Sequence, residues 1–287
     1  MPRPIIVLGM HRSGTSLLAH AVGRWGAYAG HTRDLIAPGR SNRRGFWEYE
    51  PLVSFNRVLL ASLDSDWCVP PPEGTESLME RRASEGWFKT RASYLISCME
   101  QNGTAWFWKD PRLCILLPFW KNLLDANYVI SVRKPTEIAL SLSKRNGIPT
   151  SAALLLWQYY VLSLLRHTQN VERKIFIEYD ALVAKSEEEF NRLIAFLNAN
   201  CEDPNPSEER LNGMMSVVAP ELNHNGSEAE SACCKLTREQ QNLQRAIEKK
   251  LYDPESADFL VDCDLYPGWR EYLEVCYALQ SFGPLIM

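Results

Sequence analysis

The segment that most restricts the fold is Gly9-Met10-His11-Arg12-Ser13-Gly14-Thr15-Ser16, because of what flanks it. Before it, residues 5–8 are an unbroken aliphatic run of strand length; after it, residues 15–22 read as a helix. A strand that turns through glycines into a helix aims several free backbone N–H groups at one point, where the helix dipole also favours negative charge. The hydroxyls of Ser13, Thr15 and Ser16 add donors, and Arg12 adds a planar fork with a fixed positive charge. The turn is therefore built to hold a phosphate or a sulfate. It lacks the lysine that a nucleotide triphosphatase places directly after its second glycine, and no metal-binding carboxylate stands out after a later strand. Mg-dependent phosphoryl transfer would thus be missing two of its parts.

The same strand-then-helix alternation continues along the chain. Residues 105–108, 128–132 and 174–178 read as strands, with a shorter one near 27–29. Helical patterns cover 52–62, 77–101, 136–144, 151–168 and 186–197. This order predicts an α/β, three-layer fold of the P-loop type, with a central parallel sheet of about 4–5 strands flanked by helices. From residue 198 the texture changes: 201–209 and 224–231 read as loops, and 237–251 and 268–280 as helices covering the sheet. With 287 residues, 46% of them hydrophobic, a single domain is expected. Its motif-bearing core would span about 4–200 and its helical cover about 201–287.

A net charge of −4 excludes a protein held on nucleic acid or anionic lipid by bulk charge, so any anion site must be local. The eight cysteines form no C-x-x-C pair and the five histidines no ligand pair on one helix, so reduced thiols and no metal are expected. The longest apolar stretch, 152–165, is too short to span a bilayer and is interrupted by Gln158. The first residues lack the apolar core of a signal peptide, and a cytoplasmic location is expected.

A second anion site is suggested where the strand 128–132 delivers Arg133-Lys134-Pro135 to its carboxyl end, the edge of an α/β sheet where ligands bind. Ser141 follows eight residues after Arg133, about two helical turns on, and the pair can grip one phosphate. Two further segments carry charge. Residues 40–50 form a basic, glycine-containing loop leading to Glu48 between aromatics, and Lys109-Asp110-Pro111-Arg112 lies just beyond a strand.

Together these segments resemble the family of sulfotransferases that use 3′-phosphoadenosine 5′-phosphosulfate (PAPS), its bacterial members in particular. That family places a basic residue and Ser-Gly-Thr between its first strand and helix, around the 5′-phosphosulfate. It holds the 3′-phosphate with a strand-end arginine and a serine eight residues on; here Lys134 replaces the frequent aspartate between them. A third likeness, residues 177–182 followed by Glu189, Leu193, Phe196 and Leu197, is read as scaffold because its apolar residues recur at helical spacing.

The resemblance covers roughly residues 4–200 and implies transfer of a sulfonate from PAPS to a hydroxyl or amine, releasing adenosine 3′,5′-bisphosphate without a metal. A carbohydrate or other small molecule would be the acceptor. The donor would be held by Arg12, Ser13, Gly14, Thr15, Ser16, Arg133 and Ser141. Arg12 and Lys109 would offset developing charge, and Glu48 would be the base, with Asp110 second and His11 third. Arg112 would orient the acceptor or pair with Asp110. Tryptophans 47, 67, 87, 106, 108 and 120 fall where acceptor-binding segments belong, although most large aromatics are core. Arginines 33, 40, 43 and 44 form a basic stretch that would meet an anionic acceptor or simply be solvated. Two other readings stay open, a P-loop small-molecule kinase using Mg-ATP and a non-catalytic protein that binds an adenosine bisphosphate.

Overall fold

The computed structural model describes residues 3–39, 42, 44–72, 74–201, 208–218 and 235–253. The expected helix at 268–280, the expected loop at 224–231 and most of the loop at 201–209 lie outside them.

Four strands, β1 (Ile5–Leu8), β2 (Phe107–Lys109), β3 (Asn127–Val132) and β4 (Lys174–Glu178), form one parallel sheet in the order β2-β1-β3-β4. Ile5 is in register with Phe107 on one side and Asn127 on the other, and Tyr128 with Lys174. The carboxyl ends of all four strands therefore meet along one edge. Between and after the strands run α1 (Thr15–Trp25), α2 (Glu50–Ala61), α3 (Glu76–Ser84), α4 (Gly86–Glu100), α5 (Leu113–Trp120), α6 (Pro135–Asn146), α7 (Thr150–Thr168), α8 (Tyr179–Val183), α9 (Glu187–Asn200), α10 (Glu208–Met215) and α11 (Arg238–Tyr252).

Both faces of the sheet are covered, which is why its strands read as continuous apolar runs. Ile6, Leu8, Trp108 and Ile130 point into a core shared with α2, α5 and α7. Ile5, Val7, Phe107, Val129 and Ile177 point the other way, into a core shared with α1, α9 and α10. Helix α11 starts with a capping box between Thr237 and Gln240 and packs against β4 and α7, as a cover over the sheet should. Among the described residues no helix is long and apolar enough to cross a membrane.

Several elements differ from the expected ones, the short helices α8 and α10 among them. The short strand near 27–29 reduces to a single parallel bridge, Tyr28 to Trp106, at the open edge of β2. The helix expected over 77–101 breaks at Glu85, which is extended, and Gly86, whose φ is +78°. Only glycine takes that left-handed turn without strain, so it separates α3 from α4. Helix α5 was not expected: all eight of its residues are buried, so it has no polar face and no amphipathic period to read.

Candidate active site

The turn after β1 is fixed from several sides. Gly9, Arg12 and Gly14 take positive φ values of 143°, 70° and 94°. The Ser13 N–H and hydroxyl both donate to the Met10 carbonyl, at 3.1 and 2.7 Å. From β3, the Ser131 hydroxyl donates to the Ser13 carbonyl at 2.7 Å; from α5, Cys114 Sγ accepts the Gly9 N–H at 3.3 Å. Gly14 lies on the ring of Tyr179, the residue that follows β4: a Cβ at position 14 would stand 2.0 Å from that ring. The first intrahelical bond of α1 runs from the Leu18 N–H to the Gly14 carbonyl. The N–H groups of Thr15, Ser16 and Leu17 are left over as donors, and neither an acidic residue nor a side-chain cap occupies this helix end.

The second anion element is interlocked with the first. Arg133 Nε pairs with Glu137 at 3.0 Å, Arg133 Nη1 donates to the Arg12 carbonyl at 2.9 Å, and the guanidinium lies 4.4 Å from the centre of the Tyr179 ring. Ser141 does not face Arg133 directly. Its hydroxyl accepts from Arg12 Nε at 2.8 Å, so Arg12 stands between the two members of the expected pair. Burial, then Arg145 and Arg133, pushes the Arg12 guanidinium down to about 10. Such crowding of cations is relieved by a bound anion.

A cavity of about 160 Å³ opens at this edge of the sheet, with Arg12, Gly14, Thr15, Ser16, Arg133 and Tyr179 on one side. Glu48 and Lys109 also line it, joined by a 2.5 Å ion pair in which both side chains are largely buried. Ser13, Ser141 and Asp110 do not line it. Asp110, expected as the second candidate base, is fully buried and engaged by its neighbours. Its Oδ1 accepts from the Arg112 backbone and guanidinium, both at 3.0 Å, and its Oδ2 from Asn56 at 2.9 Å. Asn56 in turn accepts from the Trp120 indole, so Asp110 is the centre of a closed buried network. Of the two roles expected for Arg112, the structure shows the pairing with Asp110.

His11 reaches the cavity with its ring edge-on to Trp67 and Tyr160, and its Nε2 is covered and has no hydrogen-bond partner. Burial, then the charges of Arg112 and Lys109, holds its pKa well below the usual imidazole value. The imidazole is therefore neutral near pH 7, and taking a proton among those cations is unfavourable, which weakens the case for His11 as base.

The tryptophans divide by place. Trp47 lines the cavity and stacks on His20 at 4.5 Å, and Trp67 backs His11. Trp106, Trp108 and Trp120 pack on one another in the core, and Trp87 lies on the surface against Phe55. Of the basic stretch, Arg44 reaches the cavity and donates to the Val217 carbonyl at 2.7 Å, and Arg33 is exposed beside Asp34; Arg40 and Arg43 lie outside the described residues.

Three cavity residues were missed by sequence reasoning. Tyr179 belongs to the segment that reads as scaffold, and within that segment Glu189 does brace the fold, its carboxylate accepting the Glu178 N–H at 2.7 Å. The position of Tyr179 directly after a parallel strand was the available signal. Arg145 stands one turn beyond Ser141, which was also readable, whereas nothing in the sequence distinguishes His20 on α1.

The family model described as the sulfotransferase family matches residues 4–203. The chain belongs to the sulfotransferase family. Among solved structures it is similar to the sulfotransferase domain of the olefin synthase from Synechococcus PCC 7002, with 19% identity and a TM-score of 0.53, over 86% of this chain and 95% of that one. It is also similar to sulfotransferase STF9 from Mycobacterium avium, with 16% identity and a TM-score of 0.48, over 90% of this chain and 78% of that one. At such identities the first likeness bears on the fold alone: a parallel sheet between helices. A comparison with curated protein sequences finds no match. For a sulfotransferase, the turn after β1 and the end of β3 are the elements its own sequence had marked for the donor.

Proposed function

We propose that this sulfotransferase transfers a sulfonate group from PAPS to a hydroxyl or amine of a small-molecule or glycan acceptor, leaving adenosine 3′,5′-bisphosphate. The observation that carries the reading is that Arg12 joins the two anion elements while the Glu48–Lys109 pair faces the same cavity. The free N–H groups at the start of α1, with Thr15 and Ser16, suit the 5′-phosphosulfate. Arg133, which lines the cavity, suits the 3′-phosphate, and Ser141 supports it through Arg12, from whose Nε its hydroxyl accepts.

Lys109 holds one Glu48 oxygen, which orients the carboxylate and leaves its second oxygen for the acceptor proton. In the transfer, the acceptor oxygen or nitrogen forms a bond to sulfur as the bond from sulfur to the phosphate oxygen breaks, and the acceptor proton goes to Glu48. That protonation releases Lys109 from its ion pair, just as charge builds on the leaving phosphate, and Arg12 adds a second cation there. The reading needs no metal, because side chains supply the positive charge. Cys98 and Cys114 are free thiols, which suits a cytoplasmic enzyme.

Isothermal titration with adenosine 3′,5′-bisphosphate and with Mg-ATP, repeated on Arg133→Ala, tests the donor assignment. Micromolar or tighter binding of the bisphosphate, weakened about 10- to 100-fold in Arg133→Ala, is expected. Preference for Mg-ATP, unaffected by the substitution, would replace this reading with the kinase, and donor binding without transfer to any acceptor would leave a nucleotide-binding protein.

A further inference from the structure

From the end of β3 a stripe of residues recurs at every fourth position: Arg133, Glu137, Ser141 and Arg145. On a helix this spacing stacks side chains on one face, and here the face looks toward the turn after β1. The first three members are engaged, Arg133 with Glu137 and with the Arg12 carbonyl, and Ser141 with Arg12 Nε. The fourth is not. Arg145 lines the same cavity as Arg12 and Arg133, and no carboxylate pairs with it among the described residues.

Position alone gives Arg145 an ordinary reason to exist, since a cation in the last turn of α6 complements the helix dipole. That account does not explain why it lines a cavity already lined by Arg12, Arg44, Lys109 and Arg133. After burial, Arg145 is the strongest influence lowering the pKa of Arg12. Cations gathered along one cavity, with no carboxylate paired to Arg145 among the described residues, favour a bound anion. The cavity thus offers two separate sets of anion-binding groups. One is the start of α1; the other is the α6 face with Arg133. A ligand with two anionic groups, one for each set, fits them.

We infer that Arg145 is a further cationic arm on the donor nucleotide, gripping the phosphate held by the α6 face, and that it makes the enzyme prefer a nucleotide with a 3′-phosphate over one without. The inference rests on the function proposed above and adds the residue that enforces this choice of donor. Arg145 is exposed at the cavity mouth, so its replacement leaves the fold intact.

The test is titration of the full chain and its Arg145→Gln and Arg145→Lys variants with adenosine 3′,5′-bisphosphate and with adenosine 5′-monophosphate, which has only the group meant for α1. In Arg145→Gln, affinity for the bisphosphate should fall about 10- to 100-fold and affinity for the monophosphate by less than about 3-fold, with Arg145→Lys recovering most of the loss. Retained monophosphate binding shows that the variant is folded. If Arg145→Gln keeps the natural preference for the bisphosphate, or loses both ligands equally, the inference is overturned while the donor assignment stands. If the unaltered protein binds neither nucleotide, both fall.

Discussion

Glu48 and Asp110 are both buried carboxylates beside a cation, and they differ in what their oxygens still have free. Glu48 faces the cavity with one oxygen held by Lys109, whereas both oxygens of Asp110 are taken by Arg112 and Asn56. Replacing Glu48 by Gln should therefore leave bisphosphate affinity within about 3-fold and slow sulfonate transfer by about 10²- to 10⁴-fold, read from single-turnover rates. Unchanged turnover would remove Glu48 from the mechanism. Asp110→Asn should behave as a structural lesion, since it leaves Arg112 charged and buried without its partner. A stability loss of about 3–5 kcal/mol in urea unfolding is expected. The sequence marked both acids by their position near strand ends and loops. The sequence put Glu48 before Asp110, but the partners that separate them physically, such as Lys109 and Asn56, lie far away along the chain and were not legible.

His20 carries a pH effect of its own. Burial, then Arg24 and Arg44, pushes its pKa down to about 4, whereas the unfolded chain titrates near the ordinary imidazole value of about 6.5. Between those values the unfolded state binds more protons, so this contribution to stability is complete above about pH 6.5 and is lost as pH falls toward 4. His20→Phe keeps a ring against Trp47 and removes the proton. The drop in its melting temperature from pH 7 to pH 5 should be about 2 °C smaller than in the unaltered protein. An equal drop in both proteins would show that His20 does not titrate in this window.

At the scale of elements, what could be read in the sequence was what has a period or a punctuation mark. The strands, α1, α6, α7 and α11 announce themselves by apolar runs, amphipathic faces and caps. Helix α5 does not, being apolar on all sides, and the break at Gly86 is a matter of one left-handed residue inside an otherwise helical stretch. The turn after β1 was legible as a glycine-bearing passage from strand to helix, but its support was not: Tyr179, Ser131 and Cys114 come from three other elements. That support makes Gly14 distinctive. Gly14 and Gly147 both have positive φ, yet a Cβ on Gly147 meets open space and one on Gly14 collides with Tyr179. Gly147→Ala should cost about 1 kcal/mol of stability and leave nucleotide binding alone. Gly14→Ala must displace either the turn or the tyrosine, and bisphosphate binding should be lost by titration. Retained binding would mean that the turn is not held in the observed shape when nucleotide binds.

At the scale of the molecule the charge is uneven. The chain carries a net −4, yet Arg12, Arg44, Lys109, Arg133 and Arg145 line one cavity with Glu48 as the carboxylate among its lining residues. Net charge excluded a protein bound to polyanions at large and was blind to this concentration, which arises only when strand ends and helices converge. A multiply charged nucleotide approaching an acidic protein is repelled at long range and attracted at the cavity mouth, and salt weakens both effects over a Debye length of about 8 Å at physiological strength. The two partly cancel outside, so the mouth must dominate the rate of capture. In the proposed complex its phosphates would lie against Arg133 and Lys109, which are buried and screened far less. Raising salt from about 20 to 500 mM should therefore slow bisphosphate association about 10-fold in stopped-flow while dissociation changes by less than about 2-fold. A change confined to dissociation would place the binding charges in open solvent and contradict the buried arrangement of Arg133 and Lys109.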